Sequence, residues 1–133
     1  MWESLRAWLN GDEEARGTLV ENLSRIGFQD SGAADRLRGL VGESLSAGQA
    51  IGSLRKFLGL LGDANDPDAG LIDFERFVLQ AGDRGELFQF LDENPRAIEV
   101  LVRLFTSSRY LTETVLRYPE TLRELTRHRR LAN

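Results

Sequence analysis

The sequence predicts an all-α protein, a bundle of about eight or nine short helices. Apolar residues recur along the chain at spacings of three and four, which line one face of a helix. No segment shows the alternation of apolar and polar residues that is typical of strands. Residues that start or end helices, namely Asp, Asn, Ser, Pro and Gly, stand between the periodic segments.

Length and composition indicate one helical domain over residues 1–133, with 41% hydrophobic residues to form its core. The net charge of −4 argues against binding to nucleic acid or to an anionic membrane surface. The absence of cysteine excludes a disulfide framework and a thiolate site. No apolar run approaches the roughly 20 residues of a membrane span, and a signal-peptide pattern is missing. We therefore expect a cytoplasmic protein.

Four helices are predicted within residues 1–61. The first carries Trp2 and Trp8, which we expect to pack inside because tryptophans are usually well buried. Asp12 is expected to cap the second helix and Gly27 to end it, while Gly17 weakens its middle. The third begins near residues 30–31, and the fourth covers about residues 46–61.

Residues 62–70 (GDANDPDAG) are predicted to form an acidic loop, because turn-forming residues dominate the segment. The loop partly imitates a calcium-binding EF-hand with Gly70 at the sixth position. The third, fifth and twelfth positions would then be Pro67, Ala69 and Arg76, none of which offers a side-chain oxygen. A solvated acidic loop is therefore the preferred interpretation.

The same region also imitates the signature of nucleotidyltransferases, in which two carboxylates one residue apart on a strand hold metal ions. One candidate pair is Asp73 with Glu75, and the other is Asp66 with Asp68. Residues around Asp73 are predicted to be helical, which would turn its pair to different faces, and Pro67 would disrupt a central strand. We therefore predict no catalytic, cofactor-binding or metal-binding residues in this chain.

Five further helices are predicted in residues 71–131, near residues 71–80, 84–91, 95–105, 108–117 and 119–130. Asn94 is expected to accept a hydrogen bond at a helix start, followed by Pro95 at the first helical position. Ser107 is expected to cap the next helix, and Pro119 to open the last one.

Residues 94–125 read NPRAIEVLVRLFTSSRYLTETVLRYPETLREL and resemble a helical segment of bacterial glutamine synthetase adenylyltransferases. In that family a pattern close to L-L-R-L-F-G-S-S-R-F-L … L-x-R-x-P-E-x-L stands just ahead of the first nucleotidyltransferase domain. The residues that match are Leu101, Arg103, Leu104, Phe105, Ser107, Ser108, Arg109, Tyr110, Leu111, Leu116, Arg117, Pro119, Glu120 and Leu122.

Departures from the family pattern include Thr106, which replaces the usual Gly, and Tyr110, which replaces the common Phe. Residues 74–77 (FERF) also resemble an Asn-Phe-Glu-Arg-Phe element that precedes the segment in the family. The resemblance covers roughly residues 71–125 and is weak over residues 1–61.

The resemblance implies a parent enzyme that transfers AMP from ATP to a tyrosine of glutamine synthetase, can remove it, uses magnesium and responds to the PII protein. The family's catalytic motif lies downstream of the matched segment. This chain is thus expected to be a non-catalytic N-terminal helical region, inactive alone, with glutamine synthetase, PII or downstream domains as partners. The alternative is a free-standing helical interaction module without enzymatic activity. The reading frame beyond Asn133 would distinguish the two.

Two other candidate sites have simpler explanations. His128 lies among Arg127, Arg129 and Arg130, whose charges would disfavour its protonated form, so we interpret the cluster as a solvated helix end. Ser107, Ser108 and Arg109 could bind an anion at a helix N-terminus. Helix capping explains the two serines sufficiently.

Overall fold

The computed structural model of the protein describes residues 2–42 and 47–132, with side chains for residues 2–42 and 48–126. Within those residues the chain forms α-helices and no strand, which confirms the predicted all-α class. The helices are α1 Trp2–Leu9, α2 Ala15–Arg25, α3 Ala33–Val41, α4 Ala47–Leu61, α5 Pro67–Ala81, α6 Arg84–Glu93, α7 Pro95–Ser107, α8 Arg109–Arg117 and α9 Thr121–Ala132.

The first three helices follow the sequence prediction closely. Their positions agree, but Asp12 does not cap α2 as predicted: Glu14 is at the N-cap position without a side-chain cap, and Asp12 accepts a hydrogen bond from the N–H of Glu14 at 3.0 Å ahead of the helix. Gly27 follows the C-terminal end of α2, as predicted, and has a φ of +116°, a conformation that favours glycine. Gly17 does not divide α2, which runs unbroken through it. Ser46, the predicted start of the fourth helix, lies outside the described residues.

The core lies around α4 and α5, where aromatic rings from several helices meet. The ring centroids of Phe57 and Phe74 are 4.2 Å apart, and Phe88 packs edge-on against Phe74 at 6.3 Å. Trp8 is buried, as predicted, and its indole N–H donates a hydrogen bond to the carbonyl of Ala34 at 2.7 Å, whereas Trp2 is only partly buried against the core. In the described parts of the chain, no helix combines the length and apolar character needed to cross a membrane.

The acidic loop is shorter than predicted, because α5 begins at Pro67 and not near residue 71. Asp66 accepts a hydrogen bond from the N–H of Ala69 at 3.1 Å, and Pro67 occupies the first turn, where no N–H is needed. Gly70, predicted to be a loop residue, is buried inside the helix. A Cβ atom there would lie 2.4 Å from Cδ2 of Leu61, so glycine lets α4 and α5 approach closely.

Three predicted helix starts need correction. Asn94 makes no side-chain cap; its Nδ2 donates instead to the carbonyl of Phe90, at the end of α6. Ser107 still belongs to α7 and donates to the carbonyl of Arg103, so Ser108 caps α8 by accepting from the N–H of Leu111. Pro119 precedes α9 in a turn, and the helix begins at Thr121.

Candidate interaction surface

The α5–α8 junction joins two distant segments of the chain through an ion pair. Arg109, the first residue of α8, donates from Nη2 to Oδ1 of Asp73 in α5 at 3.1 Å. The Asp73 side chain is 6% exposed, whereas that of Arg109 is 59% exposed. A carboxylate taken out of water needs such a charged partner, so this contact fastens α8 to α5.

Two further charged residues complete this cluster. Nη1 of Arg76 lies 3.9 Å from Oδ1 of Asp73 and 3.4 Å from Oε1 of Glu113. Glu113 also lies 3.5 Å from Arg109, one turn away on the same helix. Two guanidinium groups thus face two carboxylates, which leaves no excess positive charge for an anion. The serines beside Arg109 cap α8 or end α7, so the anion-binding interpretation has no support in this geometry.

The acidic pairs that imitated a nucleotidyltransferase motif have structural roles. Asp66 caps α5, and Oδ2 of Asp68 accepts from the backbone N–H groups of Gln29 at 2.7 Å and Asp30 at 3.3 Å. Asp73 and Glu75 diverge, as predicted: Asp73 contacts Arg109, while Glu75 pairs with Arg36 of α3 at 3.0 Å.

These carboxylates do not form the paired arrangement of a magnesium–nucleotide site, because Asp66 and Asp68 accept from different backbone N–H groups, and Asp73 and Glu75 pair with arginines on different helices. In the described part of the chain, no three His, Cys, Asp or Glu side chains come close enough together to hold a metal ion. The side chains of His128 and its neighbouring arginines lie outside the described residues.

The residues that match the predicted family pattern divide into a buried set, an exposed set and the half-buried Ser108 and Pro119. The buried set joins the hydrophobic core and consists of Leu101, Leu104, Leu116 and Leu122, with Phe105 half-buried against Phe57. The exposed set consists of Arg103, Ser107, Arg109, Tyr110, Leu111, Arg117 and Glu120. Core packing therefore explains only the buried part of the pattern.

Two tyrosines at the ends of α8 are the large aromatic side chains that are exposed in the described part of the chain. Tyr110 is 79% exposed and Tyr118 is 53% exposed. They line a shallow depression of about 210 Å³ together with Glu113, Thr114 and Arg117, and we call these five residues the α8 surface. Tyrosine and arginine are enriched at protein–protein interfaces, so this surface has the composition of a contact site.

The sequence did not predict that Asp73 and Arg109 meet. The two residues are 36 positions apart, and no local pattern links them. Periodicity places each on a helix but carries no information about which helices pack together.

No family model, curated protein or solved structure matches the chain.

Proposed function

We propose that this chain is a non-catalytic helical region of a cytoplasmic protein similar to glutamine synthetase adenylyltransferase. In such a protein it would supply a scaffold and a contact surface, while other domains transfer AMP to glutamine synthetase. The contact of Arg109 with Asp73 is the observation that carries the proposal. It joins Asp73, the residue directly before the FERF element, to Arg109 of the serine-arginine turn, and so brings the two separate segments of the resemblance into contact.

The α8 surface supports the contact role. Tyr110 matches an aromatic position of the family pattern, yet it is 79% exposed and contributes nothing to the core. Arg117 is exposed on the same surface. Exposure of an aromatic side chain to water is unfavourable, and contact with a neighbour removes that cost. We therefore assign this surface to contact with the nucleotidyltransferase domain that follows the segment in the family.

The engagement of the carboxylates supports the non-catalytic role. Asp66 and Asp68 bind backbone N–H groups, and Asp73 and Glu75 are paired with arginines on different helices. Freeing either pair for metal binding would remove contacts that hold α5 in place.

Size-exclusion chromatography with light scattering tests the proposal. The purified chain is mixed separately with a nucleotidyltransferase domain of a glutamine synthetase adenylyltransferase, with glutamine synthetase and with PII. We expect a complex with the nucleotidyltransferase domain. Replacing Tyr110 and Tyr118 by serine should weaken it about tenfold or more, since truncation of central interface aromatics commonly costs over 1 kcal/mol each.

Leu79→Ser is the matched control, because Leu79 is 61% exposed but lies on α5 outside the α8 surface. This variant should bind as the unchanged chain does. Failure of the chain to bind the nucleotidyltransferase domain would contradict the proposed contact. A complex with another protein but with none of these three would favour the free-standing interaction module.

A further inference from the structure

A groove lies where the end of α5, the start of α6 and the turn between α8 and α9 meet. It encloses about 210 Å³ and is lined by apolar side chains that include Phe77, Leu87, Phe90 and Leu122. Sites for small organic ligands usually enclose roughly 300–1,000 Å³, so this groove suits a single side chain better than a whole small molecule.

The groove carries an excess of negative charge. Its lining contains three carboxylates, from Asp83, Glu86 and Glu120, against one guanidinium from Arg123, which leaves a formal charge of −2. Among the described side chains, neither Asp83 nor Glu120 forms an ion pair. One oxygen of Asp83 accepts the N–H of Glu86 as the cap of α6, but this bond leaves the negative charge in place.

Arg123 demonstrates the chemistry that this groove favours. Its guanidinium carbon lies 4.3 Å from the ring centroid of Phe90, and its Nη2 lies 2.9 Å from Oε1 of Glu86. A guanidinium is thus already held between an aromatic face and a carboxylate, an arrangement that combines cation–π attraction with a charged hydrogen bond. The remaining two carboxylates offer a second cation the same kind of ligand.

We propose that the groove binds an arginine side chain of another polypeptide, flanked by an apolar residue. The guanidinium would lie between the carboxylates of Asp83 and Glu120, and its methylene groups would lie on the apolar lining. The negative charge excludes an acidic segment, and the planar fork of arginine matches carboxylates better than the single ammonium of lysine does. This proposal does not rest on the function proposed above.

Amide NMR of the complete ¹⁵N-labelled chain tests the groove directly. The probes are acetyl-Leu-Arg-Leu-amide and its citrulline analogue, which has nearly the same shape as the arginine peptide but no charge. With the arginine peptide we expect saturable shifts in residues 82–87 and 121–123. The arginine peptide should bind about fivefold more tightly than the citrulline peptide, the upper range for exposed ion pairs.

Glu120→Gln should weaken binding of the arginine peptide about two- to fivefold, as loss of one partly exposed ion pair predicts. Glu124→Gln is the control, because it removes the same charge from an exposed position on α9 that does not line the groove. Equal binding of the two peptides, equal effects of the two variants, or shifts confined to other residues would overturn the proposal. The titration contains no adenylyltransferase component, so a negative result would not contradict the proposed function. A result that contradicts the proposed function would likewise not contradict the groove proposal.

Discussion

Arg109 holds the carboxylate of Asp73 at 3.1 Å across 36 residues of sequence, and the two side chains differ sharply in exposure. Asp73 is buried in α5, whereas Arg109 reaches it from the surface at the start of α8. An unpaired carboxylate at the buried Asp73 would be unfavourable, so the contact with Arg109 positions α8, the helix that carries the exposed Tyr110.

Arg109→Gln should lower the free energy of unfolding by about 1–2 kcal/mol. The substitution leaves the buried Asp73 with only the more distant Arg76, and an unsatisfied buried polar group costs on this scale. Urea denaturation measures the change, and Arg103→Gln on the exposed face of α7 serves as the control with less than about 0.5 kcal/mol. Combined with Asp73→Asn, Arg109→Gln should show a coupling of about 1 kcal/mol. Additive effects would mean that the contact contributes nothing.

Two glycine-to-alanine substitutions should have opposite signs. Gly70→Ala should destabilise the protein by about 1–2 kcal/mol, because the new Cβ meets Leu61 at 2.4 Å in a close helix contact. Gly59→Ala lies in α4 with open space around it, so it should stabilise by about 0.5–1 kcal/mol through helix propensity alone. Chemical denaturation of both variants measures the two changes in the free energy of unfolding. Stabilisation by Gly70→Ala would show that α4 and α5 do not depend on this close approach.

Ser108→Ala should cost about 1 kcal/mol, the usual value for loss of a helix N-cap. Ser107→Ala should change stability by less than about 0.5 kcal/mol, because its hydroxyl only donates to a carbonyl within its own helix. Thermal and urea unfolding of the two variants compare adjacent residues of the same type. A larger loss for Ser107→Ala would return the cap to the position that the sequence predicted.

The ion pair between α2 and α3 should make stability depend on acid pH. Arg16 donates a hydrogen bond to Asp35 at 2.9 Å, and this bond is the main cause that lowers the pKa of the Asp35 carboxyl below its ordinary 3.8. A carboxyl whose pKa is lower when folded stabilises the protein above pH 3.8 and loses that contribution as the pH falls through the folded value.

NMR titration of the Asp35 carboxyl carbon measures this directly. Its midpoint should lie below 3.8 in the unchanged chain and move upward in Arg16→Gln. Asp35→Asn should be less stable than the unchanged chain near neutral pH, and the difference should vanish at the acid end. A midpoint unaffected by Arg16→Gln would contradict the assignment.

Local chemistry predicted the helices well and their junctions poorly. Gly27, with its positive φ, marks a helix end that depends only on neighbouring residues, so the capping rules found it. The predicted cap at Asp12 was wrong, because α2 has no side-chain cap. The start of α5 was misplaced because Pro67, Asp68 and Gly70 resemble a turn in isolation. Gly70 occupies a helical position at which Leu61 of α4 leaves no room for a Cβ atom, and a single sequence does not reveal that tertiary contact.

The candidate sites show the same difference between features set by local sequence and features set by tertiary contacts. The sequence indicated that Asp73 and Glu75 would diverge on a helix, since that follows from helical geometry. It gave no sign of the groove, whose carboxylates Asp83 and Glu120 come from segments that meet only in the folded protein. The exposure of Tyr110 was also hidden, because a residue in an apolar pattern is usually read as part of the core.

Transfer of labelled AMP from ATP to glutamine synthetase by the purified 133-residue chain, with magnesium present, tests the non-catalytic role most directly. We expect no incorporation, because the acidic pairs of α5 are bound to backbone N–H groups and arginines. Magnesium-dependent labelling that rises with the concentration of the chain, and that Asp73→Asn abolishes, would contradict it.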